Sequence, residues 1–525
     1  MTAPPKRPAP PPTQPPPAVA PGAQPWQPVL GPRPPTPFEK RWPGPLRSAP
    51  ALALGAAAAT GVVAAASVPL DRPGIGWLVT ALTATTALVT LSRRHFPGRL
   101  QPLWTAATVT LIGLGTIRAA GWLFLLCLLA AAVTASLAVT PAHGFRSIFA
   151  ASGTIPVAVL RATPWAWHAL RALRHKRRSA PNVRVVAAVA MTVLLVVVFG
   201  ALFAGADAAF AELVGRLVPE ADIAVHMDKV WLFLFGAAAV IGAAYLLAGP
   251  PSFADLEKPA KAKLHRLEWT LPLAALNVVF AVFVAVQIAV LFGGEKHVLS
   301  TAGLTYAEYA RKGFWQLLVV TALTLAILAA AARWAPRELR GDRVLVRVLL
   351  GGLAALCLVI VASALYRMHT YEEAYGFTRL RVLVSVCELW LGVVLAMVLT
   401  AGIRLRAGWL PRAVVGSAVA ALIGLAALNP DRFIAERNVE RHEQTGKIDT
   451  AYLSGLSADA APALEELPAP LRGCALQEIA HDLALKPDGW REWNLGRREA
   501  REVVAAIPAA NLTWNSACGP AWSRY

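Results

Sequence analysis

The chain has 525 residues, of which 56% are hydrophobic and only 15% charged, and its mean hydropathy is +0.51. A water-soluble chain carries roughly a quarter charged residues, so a soluble globular protein is excluded, and repeated apolar runs of about 18 residues or more point to transmembrane helices. The net charge of +19 would point to nucleic acid in a soluble chain, but here it sits largely in short links between apolar runs, so no nucleic-acid partner is expected.

Residues 1–49 are Pro-rich (PPKRPAPPPTQPPP) with scattered basic residues. No apolar period runs through them, so they are expected to form a disordered, partly polyproline tail on the cytoplasmic side. A multi-pass region follows over 50–428, with eleven candidate spans near 51–70, 75–92, 102–117, 119–140, 184–206, 230–248, 271–292, 316–333, 345–365, 382–403 and 413–428. The predicted fold is all-α, a polytopic helical membrane bundle.

Loop charge tests this threading. With the amino-terminal tail inside, the inside links and tail hold 29 Lys and Arg against ten in the outside links. A near threefold bias is what the positive-inside rule demands, whereas an even split would mean a miscounted helix. An odd number of spans then puts the carboxyl-terminal segment outside.

Within the inside segment 141–183, a short apolar piece (147–160) precedes RATPWAWHALRALRHKRR. Trp165 and Trp167 beside Arg171, Arg174, Lys176, Arg177 and Arg178 predict an interfacial helix on anionic headgroups. The outside segment 207–229 is amphipathic, is broken at Pro219, and is expected to lie flat on the outer surface. The outside link 293–315 contains TYAEYARKGFW, in which Tyr306 and Glu308 belong either to a binding surface or to an aromatic belt with charges.

The most polar stretch between two spans is YRMHTYEEAYGFTRLR, Tyr366 to Arg381. His369, Glu372, Glu373, Arg379 and Arg381 form a candidate outer-face cluster with Tyr306 and Glu308. Helical spacing puts His369 and Glu373 on one face, where a carboxylate and an imidazole suit acid–base work or metal ligation. One such pair is not a metal site, because His297, His226, Glu308 or Asp207 would have to supply further ligands. The competing reading is a polar network that ties helix ends together. In the following span Glu388 lies seven residues, nearly two turns, after Arg381. An acid at that depth must point into the bundle, either as a proton or cation relay near Gln287 and Asn277 or as a structural group.

The segment 429–525 reads as a small helical extracytoplasmic domain. Asn429 and Pro430 open its first helix and Gly446 ends it, with further helices expected near 457–467, 472–486 and 489–506. Cys474 and Cys518 are the candidate disulfide if this segment lies outside the cytoplasm. Walker A, HExxH, GxSxG and kinase signatures are all missing from the sequence.

Three stretches carry a resemblance: HVLSTAGLTYAEYARKGFWQL from His297, YRMHTYEEAYGFTRLRVLV from Tyr366, and LNPDRFIAERNVERHEQTGKIDTAYL from Leu428. Over roughly 180–460 the chain resembles the uncharacterised bacterial integral-membrane proteins of domain-of-unknown-function family 4173, close to family 4153. The resemblance implies a multi-pass protein of the bacterial inner membrane and assigns no substrate, cofactor or catalytic residue.

The favoured expectation is a non-enzymatic envelope protein that binds, senses or scaffolds, with an envelope protein or ligand as outer-face partner and with no metal or cofactor. Two alternatives stay open. One is a proton-coupled or small-solute transporter using Glu388. The other is a membrane-embedded transferase or hydrolase acting on a lipid-linked substrate through Glu372, Glu373 or His369. A cavity reaching Glu388 from both sides favours transport, a lateral lipid-sized groove ending at Glu372 and Glu373 favours an enzyme, and a dry bundle with a compact tail favours binding.

Overall fold

The computed structural model describes residues 36–92, 100–176, 223–257, 265–292, 314–336, 339–404 and 407–508, with a few isolated residues besides. Every extended element among them is a helix. In chain order these are α1 (Pro37–Arg41), α2 (Ala51–Ser67), α3 (Ile75–Ser92), α4 (Gln101–Ile117), α5 (Gly121–Val139), α6 (Phe145–Ser152) and α7 (Thr154–Lys176). Next come α8 (Ile223–Ala248), α9 (Arg266–Phe292), α10 (Phe314–Trp334), α11 (Arg340–Tyr375), α12 (Arg379–Arg404) and α13 (Leu410–Leu428). The carboxyl-terminal segment holds α14 (Pro430–Thr445), α15 (Thr450–Ser454), α16 (Ala461–Leu464), α17 (Ala469–Leu485) and α18 (Leu495–Ala505).

Eight of the described helices are long and apolar enough to cross a membrane. The protein is therefore an all-α, multi-pass membrane protein. The expected span at 184–206 and the outside links that contain Tyr306 and Glu308 lie outside the described residues, apart from a few isolated positions. At the end of the 207–229 segment, residues from Ile223 onward already belong to α8. Asp228 and Lys229 are thus early turns of a spanning helix and not part of a flat surface segment.

Two packed groups of helices are joined by α13. In the first, α2 crosses α8 where Gly61 and Gly236 let the backbones meet: a Cβ on Gly61 would run into Phe233, and one on Gly236 into Ala64. In the second, α11 buries one stripe, which includes Val346, Leu353, Cys357, Ile360, Ala364 and Met368, against α9, α10 and α12.

At about 1.5 Å per residue, α11 is roughly 54 Å long, well beyond a hydrocarbon core of about 30 Å. The stretch 366–375 is accordingly the last turns of this helix, projecting past the apolar section, and not a loop. Gly376 stops it with φ +82°. A Cβ there would strain the backbone and strike Oδ1 of Asn438, whose amide clamps Phe377 by accepting from its N–H (3.2 Å) and donating to its carbonyl (2.9 Å). Gly376→Ala is expected to cost about 2 kcal/mol, read as a lower melting temperature of the purified protein in detergent.

The links sort to two ends. At one end, Ile75 and Gly76 donate to the carbonyls of Trp493 and Arg491 (3.1 Å each), Arg72 donates to the Lys486 carbonyl (2.8 Å), and Asn494 donates to the Gly115 and Arg118 carbonyls (2.9 Å each). At the other end, Trp42 donates to Gly249 (3.1 Å), Trp165 to Arg47 (2.7 Å) and Arg412 to Ala142 (3.2 Å), each time to a backbone carbonyl. Links that the charge count assigns to one side thus gather at one end, in the company of the carboxyl-terminal segment.

The carboxyl-terminal helices do not close a core of their own. Ile434, Leu453, Leu464 and Leu476 belong to one continuous apolar cluster with Leu111, Leu123 and Cys127 of the first group of helices, Val382 of the second and Leu425 of the joining α13. Asn429 turns the chain from α13 into α14 in the left-handed region (φ 55°), with Pro430 in the first turn and Gly446 closing the helix at φ 69°. Its side chain makes no capping hydrogen bond. Cys474 and Cys518 are joined, with their Cα atoms 5.3 Å apart.

Amphipathic α7 lies on α8 with Ala158, Ala162, Trp165 and Ala169 buried. Trp165, read from the sequence as interfacial, therefore packs inward, edge to face with Tyr245 (5.6 Å between ring centroids). Trp167 remains exposed, with the Arg171 guanidinium 5.2 Å over its ring.

Candidate functional site

The end of α11, the start of α12 and α14 meet at a groove of about 650 Å³. Each helix contributes one face. From α11 come Leu365, His369, Glu372 and Glu373, at spacings of four, three and one; from α12 come Val382, Ser385, Val386 and Leu389; from α14 come Phe433, Arg437, Glu440, Arg441 and Gln444. Leu428 at the end of α13 completes the apolar side. Leu389 is 58% and Leu428 45% exposed. Both sit on spanning helices, so that side of the groove faces lipid, while the α14 side is polar.

The clustered residues of 366–381 divide among different tasks. Arg379 leaves the groove for Asp431 at the start of α14, with Nε to Oδ1 at 2.8 Å and Nη2 to Oδ2 at 2.6 Å. Asp431 is fully buried and also accepts from Trp122 Nε1 (3.2 Å) and the Ser457 N–H (2.8 Å). Burial pushes this carboxyl up, but the hydrogen bonds and charge of Arg379, with help from Ser457, more than offset that and hold it below the usual Asp range.

Arg381 folds back. Its guanidinium lies 4.4 Å over the Tyr371 ring and donates to the Tyr375 carbonyl (3.1 Å) and to that of Gly376. Arg441 donates to the carbonyls of Ala374 (2.7 Å) and Glu373 (3.2 Å). Two arginines therefore satisfy the last carbonyls of α11, where a helix end carries partial negative charge.

His369 and Glu373 form an exposed pair at 3.2 Å on one helix face, as their spacing predicts. No group of three or more His, Cys, Asp or Glu that could hold a metal occurs among the described residues. Glu372 is different: it is 6% exposed and receives one long hydrogen bond, from Ser385 Oγ at 3.4 Å.

Glu388 lies elsewhere. It is fully buried in α12, close to Cys357, and both its oxygens lack a hydrogen-bond partner among the described residues. The expected neighbours are engaged with others: Gln287 accepts from Arg367, and Asn277 donates to the Leu349 carbonyl at 3.0 Å. Glu388 lines neither the groove nor a second cavity of about 400 Å³ between α10, α11 and α12 near Arg347. An unpartnered acid is costly inside a span. Glu388→Met, similar in volume and apolar, is expected to raise the stability of the purified protein by about 1 kcal/mol or more in thermal unfolding.

The family described as a domain of unknown function, DUF4153, matches residues 106–467. The chain belongs to that family. The DUF4153 match takes in every residue that lines the groove, together with Asp431 and Asp459, and it stops short of Cys474, Asn494 and Arg497. It names the neighbour of the family given first by the sequence resemblance. No curated protein and no solved structure matches this DUF4153 chain.

Sequence reasoning missed the partners contributed by distant segments. Asp431, Arg441 and Asn438 read as ordinary surface residues of a polar helix, and Asp459 carries no local pattern. In the structure Asp459 is 3% exposed and accepts from the N–H groups of Ala119 (2.8 Å) and Ala120 (3.0 Å) in the link between α4 and α5. The available signal was the excess of acids in the tail beside Arg118, Arg379 and Arg381 in the links, which states complementarity without naming pairs.

Proposed function

We infer that this membrane protein is a non-enzymatic ligand-binding protein of the bacterial inner membrane, with its Pro-rich amino-terminal tail in the cytoplasm and its carboxyl-terminal helices on the envelope side. The groove is its binding site. One observation carries this reading: the groove is apolar where it adjoins exposed faces of spanning helices and polar where α14 covers it, which matches an amphiphile entering from the bilayer. The near threefold charge bias of the inside links and tail over the outside links supports the orientation. At the opposite end, Arg171, Arg174 and Lys176 on α7, with Arg177 and Arg178 following in sequence, supply contacts for anionic headgroups.

The lateral groove ends at Glu372 and Glu373, with His369 beside them. That observation favours a second reading, a transferase or hydrolase acting on a lipid-linked substrate. It predicts a change in the mass of groove-bound lipid on incubation, whereas recovery of the lipid unchanged supports binding.

Sidedness is tested with single cysteines in intact cells. A cysteine at Gln444, exposed in the groove wall, is expected to react with an impermeant thiol reagent, and one at Arg171 only after permeabilisation. The reverse pattern places the groove in the cytoplasm and overturns the envelope assignment.

A further inference from the structure

Most charges in the groove wall are already paired. His369 holds Glu373 at 3.2 Å, Arg437 holds Glu440 at 2.8 Å, and Arg441 is committed to backbone carbonyls. Glu372 is the exception among the lining carboxylates. His369 and Arg381 act on it through space, but no cation lies within ion-pair distance of it among the described residues, and its one side-chain hydrogen bond is the long one from Ser385. Glu372 is more than nine-tenths buried in the groove wall, about one turn from His369, nearly two turns from Leu365, and across from the lipid-facing Leu389. A buried carboxylate with unused acceptor capacity favours a cationic donor that brings its own hydrogens.

We propose that the groove binds a membrane lipid whose headgroup carries a primary ammonium, with the ammonium on Glu372 and an acyl chain along Leu365, Val386, Leu389 and Leu428. This rests on the reading of the groove as a ligand site and names its ligand class. The apolar strip runs along the spans and the acid sits where they leave the apolar layer, so tail and head are placed in the order that a bilayer lipid presents them. A quaternary ammonium carries the same charge but has no N–H to donate, and a phosphoglycerol head has hydroxyls without the cation. The site therefore distinguishes all three.

The test is native mass spectrometry of the full chain released from detergent, with phosphoethanolamine, phosphocholine and phosphoglycerol lipids of matched acyl chains. The wild type is expected to retain the phosphoethanolamine lipid about tenfold or more over the other two. Glu372→Gln should remove that preference while still binding lipid, and Glu436→Gln, on an exposed face of α14 outside the groove wall, should keep it. Equal retention of the three lipids by the wild type, or a preference that survives Glu372→Gln, overturns the headgroup assignment. Leu389→Trp, which fills the apolar strip, separates the two readings. If it weakens retention of all three lipids while the wild type shows no preference, the headgroup assignment falls and the ligand site stands. If it changes nothing, both fall. An amine-bearing peptide that displaces the phosphoethanolamine lipid from the wild type but not from Glu372→Gln would make the natural occupant a protein and also overturn the lipid assignment.

Discussion

Asp431→Ala is expected to loosen the carboxyl-terminal helices from the bundle at a cost of about 3–5 kcal/mol. The side chain is fully buried and ties three segments that are far apart in sequence: Arg379 at the start of α12, Trp122 in α5, and the Ser457 backbone. Its removal leaves a guanidinium, an indole N–H and a backbone N–H without their shared acceptor, and leaving buried partners unmade costs more than the net value of the bonds themselves. The readouts are the melting temperature in detergent and the rate at which a protease cuts between Thr445 and Thr450. Restoring an acceptor with Asp431→Asn should recover part of the loss, because the amide oxygen still accepts while the charge is gone. Wild-type stability in Asp431→Ala would show that the pair is peripheral to docking.

The second large effect is a pH dependence. Burial pushes the Asp459 carboxyl up to about 6; the charge of Asp431 adds to the rise, while the Ala119 and Ala120 N–H groups and the charge of Arg118 oppose it. Its Oδ1 has no hydrogen-bond partner among the described residues, packed as it is against Gly496. A carboxyl whose folded-state value lies above the ordinary 3.8 takes up a proton on docking. Its contribution is therefore full below about pH 4 and is lost as pH rises through about 6. At about 1.4 kcal/mol per pH unit the loss is of order 3 kcal/mol. Asp431, held below its usual range, stays ionised across that window, so its own contribution disappears only on further acidification, below about pH 4. Stability of the docked state should accordingly rise on going from pH 7 to pH 5 and fall again in stronger acid. Asp459→Asn should flatten the slope between pH 4 and 6, as roughly the ordinary Asp value and the raised one bracket it. An unchanged slope in that variant would assign the dependence to other groups.

Much of the architecture was legible because membrane insertion writes itself into composition. The runs at 75–92, 345–365 and 382–403 became α3, the middle of α11 and α12, since a segment that must bury every backbone hydrogen bond in hydrocarbon has few alternatives to a helix. Pro430 and Gly446 marked the ends of α14 by local backbone chemistry alone. The polar stretch 366–381 was recognisable as exceptional, and the spacing of His369 and Glu373 foretold their pairing. The partners of the other residues were not legible. Arg381 and Glu388 share a helix face by period, yet the Arg381 guanidinium turns away from that acid to the carbonyls of Tyr375 and Gly376, where a helix end leaves acceptors unpaired. Likewise Asn429 has the right type for a helix cap and instead serves as a left-handed kink, its side chain uncapped.

Composition and local pattern were enough to mark a multi-pass helical membrane protein, to sort its links into two sets by charge, and to locate where the polar chemistry concentrates. Those properties depend on periodicity, hydrophobic length and charge sign, each readable within about 20 residues. It took the assembled fold to show that Asp431 fastens the carboxyl-terminal helices to Arg379, 52 residues away, and Asp459 to a link 339 residues away, that Arg379 and Arg441 are consumed in that fastening, and that Glu372 is left facing a groove. Such pairings depend on which helix ends come to lie together, and the energy of a buried carboxylate depends on its neighbours in space, which no local pattern records.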